Sequence, residues 1–329
     1  MSFNIWLLLG RNAGDNAQAR ELATLVGGAA REFTLSHNLL REAPAAWLGG
    51  SLASLAVKPG FDPPWPDLVI GAGRRNAPAA RWIAQESAGR ARLIWIGRPR
   101  APLAWFSLVV TTPQYGLKAA ANVFRLTLPL TPPIERTAGR RCLALLGGPG
   151  WSTRITPDYL RRFAEAAGAR AAALGAPLSI ATSPRSPAGA GAALAGMLRE
   201  AELHEWRAEG ANPYRHWLSE AREVLVSGDS VSLLADAAAT GAPVSILPAE
   251  APGWLQTVRA AGPGRRWLSA GGGRGLLAPP PDIEGLHAAL ISRGWARREG
   301  ALIRLEGAAE RMAAERRELS DRLSALRPH

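Results

Sequence analysis

The stretch Ser227-Gly-Asp-Ser-Val-Ser-Leu-Leu-Ala-Asp-Ala-Ala-Ala-Thr-Gly-Ala-Pro-Val244 decides the fold, because it reads as a strand end, a tight polar turn, a helix and a second strand. The run Glu223-Val-Leu-Val226 is short enough for a buried parallel strand. Gly228, Asp229 and Ser230 supply the turn and the N-cap, and Thr240-Gly241 ends the helix before Pro243-Val-Ser-Ile-Leu247. Units of this kind build open α/β sheets, which keep phosphate-bearing ligands at the turn and the helix N-terminus. Asp236 falls six residues into the helix and is expected to face back toward the turn.

Outward from that unit the same β-then-α rhythm recurs. In the first half it predicts strands at Asn4–Leu9, Glu32–Leu35, Asp67–Ile70, Arg92–Ile96, Leu108–Thr111 and Val123–Leu126. Most are continuous apolar runs bounded by Gly, Pro or Asp, as strands covered on both faces should be. Thr131-Pro-Pro-Ile-Glu-Arg-Thr-Ala-Gly139 breaks the rhythm and reads as a linker. A second series follows at Cys142–Leu146, Leu178–Ala181, Glu202–Trp206, Glu223–Val226 and Val244–Leu247, with helices at 157–174 and 188–200. The expected organisation is a domain over 1–135, a second over 140–305 and an amphipathic helix over 306–329, striped by Leu305, Met312, Leu319 and Leu326. The glycine- and proline-rich segment Ala270–Pro281 is expected to be an exposed loop.

With 329 residues, 47% apolar and 20% charged, the chain has room for two ordinary cores. Its longest apolar stretches, such as Ile5–Leu9, fall far below the roughly 20 residues that cross a bilayer. The N-terminus lacks the basic-then-apolar layout of a signal peptide. The expectation is a soluble, cytoplasmic chain. The single Cys142 sits in an apolar run and reads as a small buried hydrophobe. Net charge is +12, and only Lys58 and Lys118 among the 39 basic residues are lysines. Nine basic residues against the one acid Glu86 lie between Arg74 and Arg125, a concentration suited to phosphates or anionic headgroups. Aromatic interleaving of an RNA-binding kind is missing, so nucleic acid is not an expected partner.

Four loops at the carboxyl ends of predicted strands mix small and polar residues. They are Gly10-Arg-Asn-Ala-Gly-Asp-Asn-Ala-Gln18, Gly71-Ala-Gly-Arg-Arg-Asn-Ala-Pro78, Gly147-Gly-Pro-Gly-Trp-Ser-Thr153 and Thr182-Ser-Pro-Arg-Ser186. None has the spacing of a dinucleotide or P-loop fingerprint. In the first, Asp15 reads either as an N-cap or as a base at the site; in the second, Arg74 and Arg75 make a plausible anion site. The five histidines show no H-x-x-x-H spacing and no D-x-D pair occurs, so no metal site is expected.

These loops and their neighbours carry a resemblance. Pro66-Asp-Leu-Val-Ile-Gly-Ala-Gly-Arg-Arg-Asn-Ala-Pro78, Ile96-Gly-Arg-Pro-Arg100, Val110-Thr-Thr-Pro-Gln-Tyr-Gly116, Leu146-Gly-Gly-Pro149, Thr182-Ser-Pro-Arg185, Asn212-Pro-Tyr214 and Ser227-Gly-Asp-Ser230 run in the order found in the plant mitochondrial-fission "elongated mitochondria" family and its bacterial relatives. The resemblance implies an α/β, GT-B-like fold of two Rossmann-like doubly wound domains facing across a cleft. It also implies a metal-independent glycosyltransferase using a nucleoside-diphosphate sugar, without further cofactor. A scaffold that retains the fold, as the plant members suggest, and a nucleotide-sugar epimerase are the alternatives. On this reading Gly147, Gly148 and Arg185 would hold diphosphate, Gly228, Asp229 and Ser230 would line the sugar-nucleotide turn, Asp236 would hold ribose, and Ser183 would belong to the same substrate-binding set. The acceptor would sit near Gly14, Asp15, Arg74 and Arg75 with Asp15 as base, and a lipid-linked acceptor at the inner membrane surface is among its candidates. The chain departs from the pattern at Asp236, where such donor sites more usually carry Glu, and at Lys118, where the family carries proline.

Overall fold

A computed structural model of the chain describes residues 3–73, 75–137, 139–207, 209–253 and 281–326. Among the described residues, one compact unit comprises those up to Leu130 and those from Ala314 on, and a second comprises those from Thr131 to Ala313.

The first unit is a parallel sheet of β1 (Asn4–Leu9), β2 (Ala29–Thr34), β3 (Leu68–Ala72), β4 (Arg92–Ile96), β5 (Leu108–Thr111) and β6 (Val123–Arg125). Their spatial order is β2-β1-β3-β4-β5-β6, with every neighbouring pair parallel. The alternation of side chains along a strand explains why β1 is apolar throughout. Trp6 and Leu8 join Val69, Trp95 and Val109 on one face, while Ile5, Leu7 and Leu9 join Leu68, Ile70 and Ile94 on the other. Helix α1 (Ala13–Val26) brings Leu22 and Val26 to the second face and α3 (Ala77–Glu86) brings Ile83 to the first, with the short α2 (Ala45–Leu48) preceding β3. The sheet is therefore covered on both sides, as parallel sheets require.

The second unit contains β7 (Arg141–Leu146), β8 (Leu178–Thr182), β9 (Glu202–His204), β10 (Ala221–Ser227), β11 (Val244–Leu247), β12 (Ala296–Glu299) and β13 (Leu302–Leu305). Its order is β12-β13-β11-β10-β7-β8-β9, parallel from β11 to β9 and closed at one edge by the antiparallel hairpin β12/β13. Its helices are α4 (Pro157–Leu174), α5 (Ala190–Met197), α6 (Tyr214–Ser219), α7 (Val231–Ala239) and α8 (Ile283–Ser292). Tyr159, Phe163 and Ala167 of α4 pack with Ala144, Leu146 and Ile180. Cys142 lies fully buried in β7, where burial pushes its thiol up to about 12 and leaves it inert.

The last helix, α9 (Ala308–Ser324), sends Leu319 and Leu323 into the core beside α1. Its Glu315 accepts from the Thr127 backbone N–H (2.8 Å) and hydroxyl (2.6 Å), and Arg316 pairs with Glu21. Leu305 does not belong to the helical stripe as expected. It ends β13, and Gly307, in the left-handed region at φ 57°, turns the chain before the helix starts. The glycine- and proline-rich stretch 270–280 lies outside the described residues.

Candidate functional site

In each unit the strand order reverses between two adjacent strands, and the loops leaving their carboxyl ends form the natural ligand position of an open α/β sheet. In the second unit these are β7 and β10, followed by the Gly147 and Gly228 loops. The two loops are tied together. Ser227 Oγ accepts from the Gly147 N–H (2.7 Å), and Asp229 Oδ2 accepts from the Gly148 N–H (2.7 Å). Both amides expected to face a diphosphate are therefore spent inside the protein. A side chain at Gly148 would strike the Arg185 carbonyl, so the loop after β8 lies directly against the loop after β7.

The β8 loop is shaped by its hydroxyls. Ser186 Oγ accepts from the Ser183 N–H (2.9 Å) and donates to the Gly147 carbonyl (2.6 Å), while Ser183 Oγ accepts from the Arg185 N–H (3.3 Å). This presents the Arg185 guanidinium, half-exposed, to the Gly148 carbonyl and the Ser230 hydroxyl, each at 3.3 Å, with Asp229 Oδ2 at 3.8 Å. Ser230 is the N-cap of α7 but makes no side-chain cap bond, so the first-turn amides keep their donor capacity beside Arg185. A cation, a hydroxyl and a helix N-terminus meet here, the kinds of group that bind anions.

Asp229 is buried beneath this position. Burial pushes its carboxyl up to about 6, the Ser227 side chain, the Gly148 N–H and the Arg185 guanidinium offsetting the effect only in part. Gly228 is a close-approach glycine: a Cβ there would lie 2.8 Å from the Leu247 carbonyl oxygen and 3.0 Å from the His287 ring. Tyr159 completes the turn by donating to the Leu247 carbonyl (2.7 Å) and accepting from the Gly228 N–H (3.3 Å). Buried His287 is pulled down to about 4, chiefly by burial, and stays neutral at physiological pH. Tyr159 and His287 escaped the sequence reading because their partners lie far away in the chain and no local spacing marks them.

Asp236 sits in α7 as expected. Its Oδ1 accepts from the Thr131 hydroxyl and its Oδ2 from the Tyr214 hydroxyl (2.8 Å), and burial raises its pKa despite both bonds. The Asn212-Pro-Tyr214 motif gains a reason here, since Asn212 Oδ1 caps the Tyr214 N–H (3.0 Å) and so aims the phenol at Asp236. Each carboxylate oxygen retains a further lone pair.

In the first unit the reversal lies between β1 and β3. Helix α1 begins at Ala13 with Asn12 as its cap, whose side chain accepts from the Gly14 N–H (3.1 Å). Asp15 is thus a first-turn residue and not the N-cap. Burial pushes its carboxyl up to about 6, opposed by a hydrogen bond from Asn12. A Cβ on Gly73 would lie 3.9 Å from Asp15 Oδ2, and Trp95 Nε1 donates to the Gly73 carbonyl (2.9 Å). Burial and the nearby Asp15 carboxylate raise the Tyr115 phenol, whose ring lies 3.3 Å from where a Gly97 Cβ would be. Gly14, Asp15, Gly73 and Tyr115 therefore share one place. Arg75 turns away to Glu42 (2.8 Å), and Arg74 lies outside the described residues.

The basic run from Arg74 to Arg125 is largely consumed within the unit. Arg98 donates to the Tyr115 carbonyl (2.9 Å), Arg100 to the Glu42 carbonyl (3.1 Å) and Arg125 to the Leu117 carbonyl (2.6 Å), and Arg81 stacks on Trp105. Among the described residues, no three His, Cys, Asp or Glu side chains gather as a metal site. Nor is any described helix long and apolar enough to cross a membrane.

Fold and site together define a protein of two Rossmann-like α/β units, each with a polar strand-end position of the kind that takes small ligands. Over residues 13–260 the chain matches the mitochondrial fission ELM1 family, and it belongs to that family. Similar solved structures include MurG of Acinetobacter baumannii, at 11% identity over 99% of this chain and 100% of that one, with a TM-score of 0.43. The UDP-N-acetylglucosamine 2-epimerase of Rickettsia bellii is 9% identical over 99% and 96%, with a TM-score of 0.42. The lipopolysaccharide outer core galactosyltransferase WaaB is 10% identical over 74% and 80%, with a TM-score of 0.39. A comparison with curated proteins finds no match.

Proposed function

We propose that the chain is a metal-independent glycosyltransferase of the GT-B kind, taking a nucleoside-diphosphate sugar in the second unit and an acceptor hydroxyl in the first. The observation that carries this reading is the meeting of Arg185, the Ser230 hydroxyl and the uncapped start of α7 at the β7/β10 reversal. Two sources of positive potential, the guanidinium and the helix N-terminus, with a hydroxyl able to donate beside them, suit a diphosphate. Gly147 and Gly148 shape the loop through their lack of a side chain, Ser183 holds Arg185 in place, Gly228 and Asp229 fix the turn, and Asp236 meets the ribose. In the transfer, the acceptor O–H gives its proton to the Asp15 carboxylate as its oxygen bonds the anomeric carbon. The bond to diphosphate breaks with its electron pair, and Arg185 and the α7 amides stabilise the departing charge. A carboxyl near 6 is ionised at neutral pH and suited to this task. No further cofactor takes part in this scheme, and the acceptor is a hydroxyl on a carrier held at a membrane face.

A binding or scaffold protein that retains the fold is the second reading. It is favoured by the internal use of the Gly147 and Gly148 amides and by the occupied oxygens of Asp236. A thermal-shift screen of nucleotides and nucleotide-sugars in excess chelator separates the two. The transferase reading expects one ligand at about 100 times its dissociation constant to add roughly 2.7 kcal/mol of stability. Absence of any shift supports the scaffold, and a shift or turnover that needs added magnesium or manganese overturns the metal-free scheme.

A further inference from the structure

Seven large apolar side chains stand exposed among the described residues, and four of them, Leu39, Leu40, Trp47 and Val57, fall within one short excursion between β2 and β3. Leu39 is 90% exposed, Trp47 79% and Val57 69%. The excursion is built, not loose. Its two ends pair as an antiparallel bridge between His37 and Leu55, extended by Asn38 N–H to Ser54 O (3.0 Å) and Ala56 N–H to Ser36 O (3.0 Å). Asn38 also donates from its side chain to the Ala53 (2.8 Å) and Leu55 (3.2 Å) carbonyls, and its Oδ1 caps the Leu40 N–H (2.9 Å). Buried Ala45 and Leu55 anchor it on the core while Leu39, Trp47 and Val57 are left outside. Four of the seven exposed large apolar side chains among the described residues thus crowd into one anchored segment, a concentration that on a protein surface marks an interaction site.

Charge identifies the partner. Arg41 and Lys58 belong to the excursion, and Arg75 and Arg100 reach it through the Glu42 carboxylate and carbonyl, so the excursion carries or contacts four cations and holds a single acid, Glu42. Leucine and tryptophan with a cationic border are the composition of a surface that enters the headgroup layer of a bilayer, the tryptophan at the interface and the cations over anionic lipid. Arg75 also ties the excursion to the loop after β3, whose Gly73 abuts Asp15. We infer that residues 36–58 are a docking surface for an anionic membrane and bring the Asp15 position to a lipid-linked hydroxyl. For the acceptor this rests on the transferase reading, whereas docking itself does not.

The test is sedimentation of the full chain with vesicles of phosphatidylcholine alone or with about a third phosphatidylglycerol, at low and high salt. The native chain is expected to bind the anionic vesicles in a salt-sensitive way. The double variant Leu39→Ser, Trp47→Ser is expected to bind about tenfold or more weakly, with its melting temperature and nucleotide-induced thermal shift unchanged. Equal partitioning of variant and native chain, or no binding to anionic vesicles, overturns the inference. So does a concentration-dependent dimer that the double variant abolishes, since the patch would then be covered by a second copy. Vesicle binding without any nucleotide shift retains the docking surface and removes the transferase.

Discussion

Arg185→Ala is expected to weaken binding of a nucleoside diphosphate by about 10- to 100-fold, because a hydrogen bond to a charged group is worth about 1.5–3 kcal/mol and each 1.4 kcal/mol is tenfold. The side chain is half-exposed and its bonds to Gly148 and Ser230 are long, so little folding stability should go with it. Arg185→Lys keeps the charge but loses the planar fork, and should fall between the two. Titration calorimetry on native chain and variants measures this directly. Equal affinity in all three would remove Arg185 from the site and with it the diphosphate reading of the β8 loop.

Asp229→Asn is expected to stabilise the protein at neutral pH. In the folded chain the Asp229 carboxyl titrates at about 6, against an ordinary value of 3.8. Between those values the folded chain binds a proton that the unfolded chain has already released. Stability is therefore highest below the ordinary value and is lost as the pH rises toward 6. A difference of about 2 pKa units corresponds to roughly 3 kcal/mol at neutral pH. Asparagine keeps an oxygen for the Gly148 N–H and cannot ionise, so the variant should be about 2–3 kcal/mol more stable than the native chain at pH 7 and no different near pH 4. Denaturant unfolding across that range provides the comparison. A variant less stable at pH 7, or one with the native pH profile, would refute the account of Asp229. Any slope that remains belongs in part to Asp15, whose carboxyl is shifted to the same value. A buried carboxylate kept where an amide would be more stable is a cost accepted at a site, as stability–function trade-offs lead one to expect.

The strands were the most legible part of the fold. Asn4–Leu9, Arg92–Ile96, Leu108–Thr111 and Val244–Leu247 stand where their apolar runs placed them, because a strand covered on both faces leaves no ambiguity of period. The hairpin Ala296–Glu299 and Leu302–Leu305 was not foreseen. Three of the four residues of its first strand are charged and exposed, as an edge strand permits, and that pattern resembles a surface turn. At the site, residue types were readable and pairings were not. Gly147 and Gly148 announce a close approach, yet only the fold shows that Ser227 and Asp229, some eighty residues away, take their amides. The same holds for Tyr214, which reaches Asp236 across 22 residues. Asn12 rather than Asp15 caps α1, because its side chain accepts from the amide two residues on.

Hydrogen–deuterium exchange of the full chain with and without a saturating nucleoside diphosphate tests the central claim most directly, since it reports where the ligand lies and not merely that it binds. Slowed exchange confined to the Gly147, Arg185 and Ser230 loops and the first turn of α7 is the predicted result. Protection confined to the loops around Asp15 and Gly73, or no protection at any concentration, would contradict a nucleotide-sugar site at the β7/β10 reversal.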